Sequence, residues 1–178
     1  MMDTKDRPRL FMELMTEALP TGTCADLKND LAAMGFFHAP ASTRFHGNYE
    51  GGLFDHSYGV TKSLLALTEK LGLVWENRRS PYLVGMLHDL CKCDQYIRNA
   101  DGTYSYQQTL LPGHGDKSVI LALRLVDLSD EEIACIRYHM GAYEGKEMWD
   151  NYGKAISMYP NVLYTHTADM IASKIAGV

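Results

Sequence analysis

Two residues able to do chemistry sit side by side in an apolar run, Tyr82-Leu83-Val84-Gly85-Met86-Leu87-His88-Asp89-Leu90-Cys91-Lys92. A carboxylate buried without a partner is costly and tends to shift its pKa or bind a cation. Imidazole beside carboxylate suits Zn, Mn, Fe or Co, and a carboxylate can bridge two ions. Taken alone, His88-Asp89 reads as a hydrogen-bonded core pair. Four more positions change the weighing. His56 follows Glu50-Gly51-Gly52-Leu53-Phe54-Asp55, a glycine-led helix start where a lone histidine is ordinarily a surface or capping group. His114 lies between Gly113 and Gly115 next to an expected helix N-terminus, where amides and dipole favour anions. His139 falls in a last helical turn, which the dipole alone could explain. Asp169 sits mid-helix among small and apolar residues, an unfavourable place for an unpaired acid, with His166 one turn earlier on the same face. Each bland reading is reasonable by itself; the set points to convergence on metal.

Positioning these groups requires helices. Residues 9–18 show the spacing of a short amphipathic helix closed by Pro20, and Thr23 can cap a second helix through Ala33. Residues 35–52 lose periodicity and read as an aromatic-bearing loop lying against the body. Residues 53–71 form a long helix with Leu53, Val60, Leu64, Leu65, Leu67 and Leu71 inward and Gly72 beyond its end. Ser80-Pro81 gives an N-cap and a Pro at the first turn for the helix carrying His88-Asp89. Residues 95–108 read as a β-hairpin turning at Asp101-Gly102. Leu111-Pro112-Gly113-His114-Gly115-Asp116 then opens a helix, Ser129 and Glu132 form a capping box, residues 149–158 are weakly helical, and Asn161 can cap a final helix through Ile175. The expected fold is all-α, a helical bundle with a small β-hairpin insertion, forming one domain over 1–178.

Composition narrows the function classes. The chain has 178 residues and a formal net charge of −5, which argues against coating nucleic-acid backbones. Cys24, Cys91, Cys93 and Cys135 form no CxxC, so free thiols in a reducing compartment are expected, with soft-metal ligation by Cys91 and Cys93 the lesser alternative. The N-terminus lacks the apolar region of a signal peptide, and no run reaches the ~20 residues of a membrane span. A cytoplasmic protein is the expectation; homo-oligomer formation stays open.

With His56, His88-Asp89 and Asp169 in this order, the chain resembles the HD-domain superfamily of metal-dependent phosphohydrolases. The likeness covers residues 51–173, with residues 1–50 as N-terminal helices and loop. His114 and His139 resemble the additional histidines of the two-metal branch, which includes HD-GYP phosphodiesterases and HD-type 3′–5′ exonucleases. The Gly-Tyr-Pro signature is absent, which argues against cyclic-di-GMP as substrate. The resemblance implies one or two divalent ions (Mn, Fe, Zn, Co, Ni or Mg), with His56, His88, Asp89 and Asp169 on the first, Asp89 bridging, and His114 and His139 on the second. It implies hydrolysis of a small phosphorylated substrate of nucleotide type, as phosphodiesterase or nucleotidase, with Asp89 and Lys92 as the catalytic residues. Lys92, Lys117, His166, Arg44 and His46 are the candidates for binding substrate; for Lys117 the competing reading is an exposed helix lysine, and for His166 a satisfied core histidine. A catalytically silent nucleotide-binding module is the alternative from another class, and an exonuclease on single strands a third.

Overall fold

The computed structural model describes residues 5–111 and 113–178. Residues 1–4, and Pro112 of the expected helix lead-in at 111–116, lie outside the described residues. Eight α-helices and one hairpin are present among them: α1 Arg7–Met15, α2 Thr21–Ala33, α3 Gly52–Leu71, α4 Ser80–Leu87, β1 Tyr96–Arg98, β2 Tyr104–Tyr106, α5 Gly115–Ala122, α6 Asp130–Arg137, α7 Trp149–Met158 and α8 Asn161–Met170. The chain is an all-α bundle with a small β-hairpin insertion.

The long helix α3 is the axis of the bundle. Its Leu53, Phe54, Val60 and Leu64 are fully buried, whereas Leu71 is exposed where the helix runs past its neighbours. It packs along α4 and α8. The approach to α4 is close because Gly85 has no side chain: a Cβ there would stand 2.6 Å from the Thr61 Cα. Phe36 and Phe37, from the loop after α2, join Phe11 and Phe54 in an aromatic cluster with centroids 5.4–6.1 Å apart, edge-to-face except for the tilted Phe37–Phe54 pair. Such pairs contribute beyond their buried area. This is why the loop lies against the body. It is tied further by Tyr49, which donates to the Asp55 carboxylate at 3.0 Å, while the buried Arg7 donates to the same group at 2.8 Å.

Several expected caps resolve differently. Thr23 lies inside α2, which begins at Thr21 after Pro20. Ser80 is the first residue of α4, and its hydroxyl donates to Glu132 rather than capping. Asn161 likewise begins α8, and its amide donates to the Val74 carbonyl and to Glu131. These side chains are spent on tertiary contacts because the first turns of α4, α6 and α8 meet. The Ser129–Glu132 capping box of α6 is formed as expected. The final helix keeps α geometry through Met170 and then widens into a π-helical turn, Ile171–Ala176.

Candidate functional site

α4 ends at Leu87, so His88 is its C-cap and Asp89 precedes a 3-10 turn, Leu90–Cys93. The pair therefore lies where a helix ends, not within one. Asp89 has left helical geometry, with φ −111° and ψ 20°. His56 comes from the first half of α3, His114 caps α5, His139 follows α6, and Asp169 projects from α8. Five segments separated in sequence thus contribute to one cluster.

Within it, three histidines are held alike. Nδ1 of His56 donates to the backbone oxygen of Val178 at 2.9 Å, that of His88 to the Gly85 carbonyl at 2.9 Å, and that of His139 to the Ile136 carbonyl at 2.7 Å. A backbone oxygen only accepts, so each Nδ1 carries the hydrogen and the ring, when neutral, presents a bare Nε2 lone pair. Those lone pairs face one another and the carboxylates. His56 Nε2 is 3.3 Å from His88 Nε2, 3.2 Å from Asp169 Oδ1 and 3.5 Å from Asp89 Oδ2. His88 Nε2 is 3.4 Å from Asp89 Oδ2. The other oxygen of Asp89, Oδ1, stands 2.7 Å from His114 Nε2 and 3.4 Å from His139 Nε2. His139 Nε2 is buried and has no hydrogen-bond partner. Buried acceptors facing acceptors repel unless a cation lies among them, so this donor set fits a divalent metal. The two Asp89 oxygens divide the histidines, with His56 and His88 near Oδ2 and His114 and His139 near Oδ1.

His114 differs from the other three. Its Nδ1 lies 3.4 Å from the Cys91 thiol instead of a carbonyl. Burial, and then the Asp89 charge, push that thiol up to about 12, so it stays protonated near neutrality. The cysteines are free, and only Cys91 reaches the cluster; Asp89, Cys91 and His114 are close enough together to hold an ion.

Lys92 Nζ lies 2.6 Å from Asp89 Oδ2, the oxygen that also faces His56 and His88. Burial would raise the Asp89 carboxyl, but Lys92, His88 and His114 overcome it and hold the group well below the ordinary carboxylate range. Burial likewise opposes ionisation of Asp169, and the neighbouring His56 and then His88 outweigh it and hold the carboxyl low. Lys92 is moved upward, since Asp89 more than offsets its desolvation. The cluster opens into a cavity of about 210 Å³ bordered by Asp89, Lys92, His114 and Asp169.

His46 of the loop lines this cavity, its ring centroid 4.8 Å from that of His56. Burial, followed by the neighbouring His56 and Lys92, pushes its pKa down to about 4, and its buried Nε2 lacks a partner. The remaining candidates lie elsewhere. Lys117 is buried rather than exposed, does not border the cavity, and bonds to Asp94 and to Thr109, joining α5 to the segments on either side of the hairpin. Arg44 is exposed and does not border the cavity. His166 turns to the backbone instead, its Nδ1 donating to the His139 carbonyl at 2.8 Å. Sequence reasoning passed over Tyr96, Tyr143, Ser173 and Lys174, all of which border the cavity. No motif marks them, and the fold alone brings them there. Among the described residues, no helix is long and apolar enough to cross a membrane.

No family model matches the chain, and no solved structure matches it. A dihydroneopterin 2′,3′-cyclic phosphate phosphodiesterase of Methanocaldococcus jannaschii is 42% identical over 71 residues. The chain is similar to a phosphodiesterase. The match covers 38% of this chain and 28% of that relative, so the chain spans little more than a quarter of the relative's length.

Proposed function

We propose that the chain is a metal-dependent phosphodiesterase of the HD type, one domain over its 178 residues, acting on a small nucleotide-like phosphate ester. The observation that carries this is the cluster of three Nε2 atoms and two carboxylates, locked by Nδ1–H bonds to backbone oxygens. The cyclic phosphate substrate named for the relative supports a diester over a monoester. His56, His88, Asp89 and Asp169 would hold one ion, and Asp89, His114 and His139 a second. Bound divalent ions supply a water of lowered pKa and positive charge for the phosphate oxygens.

The chain's own groups then divide the remaining work. Lys92, positively charged beside Asp89, faces the cavity where non-bridging oxygens accumulate charge. His46 is neutral at physiological pH and lines the cavity as an uncharged ring, so it adds no charge beside the ester. The backbone oxygens of Val178, Gly85 and Ile136 hold three imidazoles in place, so little reorganisation is needed as charge develops.

The test pairs metal analysis with a Mn²⁺-supplemented hydrolysis screen over nucleoside 2′,3′-cyclic phosphates, monophosphates, triphosphates, cyclic dinucleotides and short oligonucleotides. Asp89→Asn is expected to lose bound metal and at least about 100-fold of kcat together, as loss of a key electrostatic group does. Full activity in that variant would overturn the assignment. One equivalent of metal in the wild type would reduce the centre to a mononuclear one.

A further inference from the structure

A second cavity, of about 360 Å³, lies on the far side of Tyr96, which borders both. The loop strand also runs past both: Ala39 and Pro40 line the second, Ala41 and Ser42 the first. The hairpin supplies its floor. Arg98 stands opposite Tyr104 in the ladder, and Tyr96 lies two residues before Arg98, so all three share one face. Facing them is Glu50, with Oε1 3.1 Å from His38 Nδ1 and Oε2 3.6 Å from Arg98 Nη1. An ionised carboxylate accepts about four hydrogen bonds and donates none, so Glu50, with its side chain 47% exposed, keeps acceptor sites for a ligand.

We propose that this cavity recognises a heterocycle with a 2-amino-4-oxopyrimidine edge, the edge common to guanine and the pterins. It rests on the phosphodiesterase reading only in placing the phosphate in the adjoining cavity. Glu50 accepts from the ring N–H and the 2-amino group, Arg98 donates to the ring carbonyl, and Tyr96 and Tyr104 offer aromatic contact. Adenine and cytosine would set a ring-nitrogen lone pair against the carboxylate, and hypoxanthine lacks the amino group. A polar site built for particular donors rejects ligands that lack them, here moderately because the carboxylate is solvent-accessible.

The test is calorimetric titration of the Mn²⁺-loaded full chain with guanosine, neopterin, inosine and adenosine. Guanosine or neopterin is expected to bind at least about tenfold more tightly than adenosine, with inosine between, as loss of one hydrogen bond to a charged group implies. Whichever of the two binds more tightly identifies the source of the ring. Glu50→Gln should bring the guanosine-to-adenosine ratio close to one, and Arg98→Ala should weaken guanosine as well, with metal content and circular dichroism unchanged. Equal affinity for guanosine and adenosine, a preference that survives Glu50→Gln, or no binding of any ring overturns the proposal. Failure of the enzyme reading is separate: it would appear as no cleavage of the ring-free diester bis(4-nitrophenyl) phosphate, or of any cyclic phosphate, while the ring preference persists.

Discussion

Asp89 illustrates how neighbours decide the state of a residue. Burial by itself would make its carboxyl neutral, and an ammonium 2.6 Å away with surrounding imidazoles makes it an anion. The same ammonium is charge-poised at the cavity, so removing it separates two roles. Lys92→Met is expected to lower kcat by about 100-fold, in line with loss of one group that stabilises developing charge, with bound metal retained. Steady-state kinetics alongside metal analysis checks this. An unchanged kcat would leave Lys92 as a structural counter-ion of Asp89.

At the level of elements, the positions of the donors follow from how α3, α4, α6 and α8 meet. Glu131 and Glu132 in the first turn of α6 receive Asn161, the Glu76 amide, Ser80 and Arg79. That network joins α6 to α4 and α8 and so sets where His139 emerges beyond α6. The crossing of α3 and α4 depends on Gly85, whose carbonyl also receives His88 Nδ1. Gly85→Ala is expected to destabilise the fold by about 1–3 kcal/mol, the usual cost of overpacking. It should also weaken metal retention by shifting His88. Urea denaturation and a chelator competition assay would read both, and a wild-type midpoint would show the helices can yield there. The π-helical turn after Met170 has a comparable role. In a regular helix residues five apart lie about 140° apart, which separates Lys174 from Asp169. The wider turn brings both to the same cavity.

For the molecule as a whole, the buried titratable groups set how stability depends on pH. Tyr49 has a pKa pushed up to about 12 by burial and then by Asp55, against about 10 in an unfolded chain. Between these values the unfolded chain has released a proton that the folded chain keeps, so stability falls as pH rises. The contribution is full below about pH 10 and lost towards pH 12. Cys135, raised by burial, acts in the same direction from its unfolded pKa of about 8.5 upward. The denaturant midpoint is therefore expected to decline from about pH 8.5 into the strongly alkaline range, and Tyr49→Phe should flatten the part above about pH 10. A midpoint that holds level across that range would contradict the account.

Helix periodicity, the hairpin turn and the Ser129 capping box were legible in the sequence because each is a local pattern over one or two turns. So were His56, His88, Asp89, His114, His139 and Asp169 as a set, since polar residues in apolar surroundings need partners. Tertiary structure decided what local pattern cannot carry. Ser80 and Asn161 have the side chains of caps, yet neighbouring helices compete for their hydrogen bonds and win. Lys117 has the look of a surface lysine, and is buried because Asp94 and Thr109 meet it there. The division of four histidines between the two oxygens of Asp89, and the second cavity beyond Tyr96, exist only once distant segments pack. Residue type and spacing specify which groups need one another; only packing specifies at what distance they meet.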